Sequence, residues 1–225
     1  MEHAPSTPSA FAGSPVDNRV ASADTRATAT TGSAASPRVA LVTGAGKRLG
    51  RAIALALAQD GWDIGVHCRD SVVEAEQTVK DIQALGRRAV VLQANLDDAG
   101  QCQTLVPRLA DALGPVSGLV NSASRFEYDD IRSFTPESLH EHLLPNLMAP
   151  LLLAQSLVSQ LPAAPVQGVI VNLLDQKLFN LNPDFLSYTL SKAALSAATT
   201  MLAQALAPRM RVVGVAPGLT LPSYL

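Results

Sequence analysis

An apolar run, Val39-Ala40-Leu41-Val42, passes directly into Thr43-Gly44-Ala45-Gly46-Lys47-Arg48-Leu49-Gly50, and an alanine-rich segment with helical character follows. A strand that turns through glycines into a helix gathers backbone N–H groups and the positive helix end at one point, which suits a phosphate. Glycine lets the main chain turn tightly and approach a ligand with no Cβ in the way. The same turn also serves as a plain strand–helix corner, so its partners downstream decide its meaning.

The strand–helix alternation continues along the chain. Strand-like segments fall at 38–43, 62–67, 88–93, 117–121, 167–174 and 211–216, and helix-like segments at 48–60, 71–85, 99–113, 136–160 and 185–207. Such alternation predicts an α/β fold with a parallel sheet and right-handed crossovers. The strands are apolar almost throughout, as when helices cover both faces. Gly61, Gly86 and Gly114 stand where left-handed helix ends are useful, and Pro145, inside the long fourth helix, predicts a kink there.

With 225 residues, 48% of them hydrophobic, one domain is the expectation. Residues 1–36 are rich in Ala, Ser, Thr and Pro and are expected to be a disordered tail, leaving residues 37–225 as the folded domain. A net charge of −2 carries no nucleic-acid footprint, and no apolar run is long enough to span a bilayer. The N-terminus lacks a secretory pattern, and Cys68 and Cys102 have neither metal nor disulfide spacing. Reduced thiols, no metal and a cytoplasmic location are the expectations.

Tyr188 and Lys192 share one helix face at i,i+4. That spacing suits a phenol acting as general acid, with an ammonium nearby to lower its pKa. An exposed helix face fits the same pair. The order of motifs separates the two: the glycine turn, then Asn121-Ser122-Ala123-Ser124 after the fourth strand, Asn146 in the fourth helix, Tyr188 and Lys192, and Pro217-Gly218 after the sixth strand. Together these resemble the short-chain dehydrogenase/reductase family over residues 37–222.

The resemblance implies a Rossmann-type, doubly wound sheet, a nicotinamide cofactor and a dimer or tetramer. It places Gly44, Arg48, Leu49 and Gly50 on the pyrophosphate turn, with Arg48 and Leu49 where most members have a glycine and a small apolar residue. Asn95-Leu96 falls where the family has Asp-Leu against the adenine, and Asn121 and Ala123 fall on the motif that supports the sheet and lines the cofactor. Asn146 falls on a water-linked proton relay, Tyr188 on the proton donor, and Lys192 on the group that binds the nicotinamide ribose. Pro217 and Gly218 fall at the cofactor end of the sixth strand. Family members usually continue through a further helix and a seventh strand. The chain is therefore expected to lack that last helix and strand, which would leave Val212–Val215 as an apolar sheet edge.

One position departs from the family. Most members have a serine 13 residues before the tyrosine, and here that residue is Asp175. Serine donates a hydrogen bond to a carbonyl, whereas ionised aspartate only accepts. Asp175, the arginine of the glycine turn and Asn121-Ser122-Ala123-Ser124-Arg125-Phe126 resemble the pteridine reductases and the related dihydromonapterin reductases. By position, Arg48, Ser124, Phe126, Asp175 and Tyr188 would face the substrate, with Phe126 stacking on a flat heterocycle. At the second strand end His67, Arg69 and Ser71, with Lys47 in reach, favour a 2′-phosphate and hence NADPH, although Asp70 could pair with Arg69. The expected activity is NADPH-dependent reduction of a C=N bond in a pterin or dihydropterin. The alternatives are a ketone or acyl reductase of the same family and a non-catalytic NADPH-binding protein.

Overall fold

A computed structural model describes residues 38–161 and 168–218. The expectations for residues 1–36 and for the chain beyond Gly218 fall outside the described residues.

Six strands form one parallel sheet: β1 (Arg38–Val42), β2 (Trp62–Cys68), β3 (Ala89–Gln93), β4 (Val116–Asn121), β5 (Gly168–Leu173) and β6 (Met210–Val215). Their order across the sheet is β3-β2-β1-β4-β5-β6. The connections run outward from β1 in one direction and then, after β3, cross back to β4 beside β1. The crevice at that reversal, above the carboxyl ends of the strands, is where such folds hold their ligands.

The helices are α1 (Arg48–Gln59), α2 (Val72–Ala84), α3 (Ala99–Leu113), α4 (Pro136–Leu143), α5 (Ala149–Gln160) and α6 (Leu186–Leu206). Alternate residues of β1 feed two different cores. Val39 and Leu41 pack with Leu105 and Leu109 of α3 and Leu153 and Leu157 of α5. Ala40 and Val42 pack with Ala54 and Ala58 of α1 and Ala75 and Ile82 of α2. Each fully buried leucine or isoleucine stabilises this arrangement by roughly 1.5–3 kcal/mol. Among the described residues β6 is the outer strand, and its Val213 and Val215 are half-exposed.

Two prolines test the helices. Pro107 sits inside α3 and has no N–H for the carbonyl of Gln103; the Ser156 hydroxyl of α5 donates to that oxygen at 3.4 Å. The kink expected at Pro145 is a π-helical turn, Leu144–Met148, which separates α4 from α5. The long helix expected over 136–160 is thus two helices joined by a wider turn, a geometry frequent at functional sites.

Candidate active site

The glycine turn is held by hydrogen bonds to the end of β4 and the loop after it. Thr43 N–H donates to the Val120 carbonyl at 2.9 Å, and the Thr43 hydroxyl accepts from the amides of Ser122 and Ala123 at 2.9 and 3.0 Å. Gly44 has φ +66°, and a Cβ there would sit 3.1 Å from Ala123 Cα. A Cβ at Gly50 would run into the carbonyl of Gly44, so α1 can dock on the turn only through glycine. The third turn position is Arg48, at φ 48°. A non-glycine residue in that region costs about 1–2 kcal/mol. Arg48 therefore keeps a glycine-like backbone while adding a cation at the start of α1. Lys47, at the N-cap, makes no capping hydrogen bond with its side chain, and the first turn of α1 carries no acidic residue. This helix end suits an anion.

His67 differs from the sequence expectation. It was expected among the cations at a 2′-phosphate. Instead it is 2% exposed, its Nδ1 accepts from Gly44 N–H at 3.1 Å, and its Nε2 meets the Ala94 carbonyl at 3.2 Å. Accepting at Nδ1 fixes the proton on Nε2, and burial pushes the imidazole down to about 4. His67 is a neutral buttress of the glycine turn. The other cations have partners: Lys47 Nζ lies 2.7 Å from Glu74 Oε1, and Arg69 Nε donates to Asp70 at 2.8 Å. The Arg69–Asp70 pair is the one anticipated from the sequence.

Asp175, Tyr188 and Lys192 converge at the opposite side of the crevice. Asp175 follows β5, and its Oδ1 accepts from Lys177 N–H at 2.8 Å. Its Oδ2 accepts from the Tyr188 hydroxyl at 2.7 Å. Tyr188 and Lys192, both buried, project from α6, and Lys192 Nζ donates to the Leu173 carbonyl at 2.7 Å. Burial pushes Lys192 down to about 8. The sequence suggested that this lysine would lower the pKa of Tyr188. The surroundings act the other way: burial first, then the Asp175 carboxylate as acceptor and charge, push the phenol well above its ordinary value. Tyr188 is held protonated, the state a proton donor requires.

Between the two lies a cavity of about 720 Å³. The glycine turn contributes Gly44, Lys47, Arg48, Leu49 and Gly50; the second strand end contributes His67, Arg69 and Ser71; Asn95 and Leu96 follow β3. Ala123, Ser124 and Phe126 come from the loop after β4, Asp175, Tyr188 and Lys192 from the far side, and Pro217 and Gly218 from the end of β6. Two singled-out residues lie off the wall. Asn121 donates to the Asn172 side chain at 2.8 Å inside the sheet. Asn146, in the π-helical turn, accepts from the Ser124 hydroxyl at 3.1 Å and Arg125 N–H at 2.8 Å, and donates to the Arg125 carbonyl and the Ser191 hydroxyl at 3.0 and 2.9 Å. Its amide is saturated by the loop it clamps and by Ser191 of α6.

Phe126 lines the cavity but already has an aromatic partner. Its ring stacks on Phe185 with centroids 4.4 Å apart and planes 8° from parallel, and it meets Tyr188 edge-on at 4.6 Å. Phe185 and Glu127 carry no sequence signal, and Arg125 stands in the quoted motif without a role of its own. Arg125 lines the wall and pairs with Glu127 and Glu141 at 3.0 and 2.7 Å. No spacing rule links these residues; only the fold of the loop after β4 brings them together.

The family model for short chain dehydrogenases matches residues 38–224. The chain belongs to the short-chain dehydrogenase family. A curated relative, an uncharacterized oxidoreductase of Methylorubrum extorquens, is 35% identical over 182 residues, covering 80% of this chain and 72% of the relative. Among solved structures, FolM alternative dihydrofolate reductase 1 from Brucella suis in complex with NADP is similar at 42% identity and TM-score 0.78, over 82% of this chain and 76% of that one. The FolM protein from Brucella canis, also complexed with NADP, gives 42% identity and TM-score 0.80, over 84% of this chain and 74% of the other. Family membership accounts for the six-stranded Rossmann sheet and makes the crevice above β1 and β4 the place where its oxidoreductase chemistry belongs. No helix among the described residues is long and apolar enough to cross a membrane.

Proposed function

We propose that the protein is an NADPH-dependent reductase acting on a C=N bond of a pterin or dihydropterin. The observation that carries this reading is the Tyr188 hydroxyl donating to the Asp175 carboxylate at 2.7 Å on the cavity wall. A carboxylate beside the proton donor presents an acceptor to the substrate. A ketone has no N–H to offer it, whereas the amino and ring N–H edge of a pterin does.

The residues of the crevice fit a phosphorylated dinucleotide. The glycine turn, a start of α1 with no side-chain cap and no acidic residue in its first turn, and the Arg48 cation suit a pyrophosphate. Lys47 of the glycine turn and Arg69 and Ser71 at the second strand end line the cavity, and exchange of the Lys47–Glu74 and Arg69–Asp70 contacts would let them take a 2′-phosphate. When bound, the cofactor supplies hydride to the carbon of the C=N bond. Lys192 would hold the nicotinamide ribose. Phe126 covers one face of the substrate ring, and Asp175 orients its N–H edge. Tyr188 delivers its proton to the ring nitrogen, and the hydrogen bond from Tyr188 to Asp175 is given up as that proton leaves. The similarity to NADP complexes of FolM alternative dihydrofolate reductases supports the same reading.

The test is oxidation of NADPH by the purified chain with dihydrobiopterin, dihydromonapterin, dihydrofolate and a panel of simple ketones and 3-oxoacyl thioesters. Turnover of a reduced pterin or folate, with NADPH preferred over NADH, is the expected result. Efficient turnover of ketones or thioesters with none of the pterins would overturn it.

A further inference from the structure

The loop after β4 carries a buried carboxylate that no motif marks. Asp129 is 4% exposed. Its backbone oxygen accepts from Leu186 N–H at 3.1 Å, and its Oδ1 accepts from Ser187 N–H at 2.9 Å. Its Oδ2 accepts from the Ser187 hydroxyl and from the Ser138 hydroxyl, the latter at 3.0 Å. Leu186 and Ser187 open α6, the helix that carries Tyr188 and Lys192. The residue at the N-cap, Phe185, has left-handed backbone (φ 57°, ψ 50°) and a side chain that cannot accept a hydrogen bond. A buried helix start needs acceptors for its first N–H groups, and a negative charge there is favoured by the helix dipole. Asp129 supplies both from 58 residues away.

The same contact sets the aromatic wall. Phe185 precedes the residues that Asp129 holds, and its ring stacks on Phe126 of the Asp129 loop. Tyr188 follows Ser187 directly and meets the edge of Phe126. From the other side His142 Nε2 accepts from Glu127 N–H at 3.2 Å while its Nδ1 lies 2.7 Å from the Ser138 carbonyl, so loop, α4 and α6 share one buried junction. Any rotation of the first turn of α6 would move the Phe185 ring and the Tyr188 hydroxyl together.

We propose that Asp129 is a positioning residue, acting through Ser187 to hold the Tyr188 hydroxyl on Asp175 and the Phe185 ring on Phe126. This rests on the reading of Tyr188 as proton donor. The experiment labels the full chain with 3-fluorotyrosine in a Tyr128→Phe/Tyr224→Phe background, which leaves one tyrosine, at position 188. The parent should give one sharp fluorine resonance that does not titrate through neutral and mildly alkaline pH. Asp129→Ala should broaden or displace it and let it titrate at lower pH, with Asp129→Asn, which keeps one acceptor, in between. In parallel, kcat for a dihydropterin should fall about 100-fold in Asp129→Ala, as expected for a displacement near 1 Å, while NADPH affinity stays within about two-fold. Should Asp129→Ala not fold, Ser187→Ala, which removes one donor, carries the same readouts. An unchanged resonance in the folded variants would overturn the proposal. A parent that turns over no pterin would overturn the substrate reading alone, and the resonance would still decide Asp129.

Discussion

The two halves of the sheet hold their polar groups in different ways. On the side of β2 and β3, exposed charges pair at the rim of the crevice: Lys47 with Glu74 at 2.7 Å and Arg69 with Asp70 at 2.8 Å. On the side of β4 to β6, neutral side chains form buried chains: Asn121 to Asn172 to Thr199, and Asn146 to Ser124, Arg125 and Ser191. The first half offers a ligand mostly backbone N–H groups and cations. The second offers one positioned phenol. Rim ion pairs tolerate exchange of a partner for a phosphate, because solvent already screens them. Buried hydrogen-bonded chains do not exchange cheaply, because each unmade bond leaves a dry polar group. On the proposed reading, binding and proton delivery fall to parts of different stiffness.

The sharpest way to separate the halves is Tyr188→Phe. It should lower kcat by about 10²–10⁴-fold and leave NADPH affinity within about two-fold, since the phenol serves proton transfer. Steady-state kinetics together with NADPH fluorescence titration measure both numbers. A proportionate loss of cofactor binding would merge the halves.

A smaller effect lies in pH. Each half buries one nitrogen base below its ordinary pKa, His67 at about 4 and Lys192 at about 8. In both cases the folded state binds fewer protons than the unfolded chain inside the window between the two values. Stability therefore rises with pH from about 4 to 6.5 through His67, and again from about 8 to 10.5 through Lys192. Each window is worth up to about 3 kcal/mol at ~1.4 kcal/mol per unit. His67→Gln should flatten only the acid window and Lys192→Met only the alkaline one, in urea midpoints of the cofactor-free chain recorded against pH. Lys192→Met should also gain about 2 kcal/mol at neutral pH, the lost hydrogen bond to Leu173 offsetting part of the relief. A flattening of both windows by either variant would contradict the division.

What could be read from the sequence follows the same line. The strand ends lie within one residue of expectation, because apolar runs bounded by glycine and helix starts are local signals. The pairing of Asp175 with Tyr188 follows from a motif order that local spacing preserves. His67 drew its ligand reading from its neighbours Arg69, Ser71 and Lys47, and only the positions of Gly44 and Ala94 show that both ring nitrogens are occupied inside. Asn146 is drawn off the cavity wall by the backbone of Arg125, a contact 21 residues away. The Pro145 kink was legible, but its resolution into a π-helical turn depends on packing against the loop that Asn146 clamps. Asp129 was invisible, since an acidic residue in a polar loop reads as solvated until α6 is laid over it.

The most direct test of the central claim is the ratio of kcat/KM for a dihydropterin to that for a ketone, measured with NADPH for the wild-type chain and for Asp175→Ser. The wild-type ratio should favour the dihydropterin, and the serine variant should lose at least about ten-fold on the dihydropterin while holding or gaining on the ketone, because an acceptor has become a donor. Equal losses on both substrates, or no loss on either, would contradict the assignment of Asp175 as the group that reads the substrate.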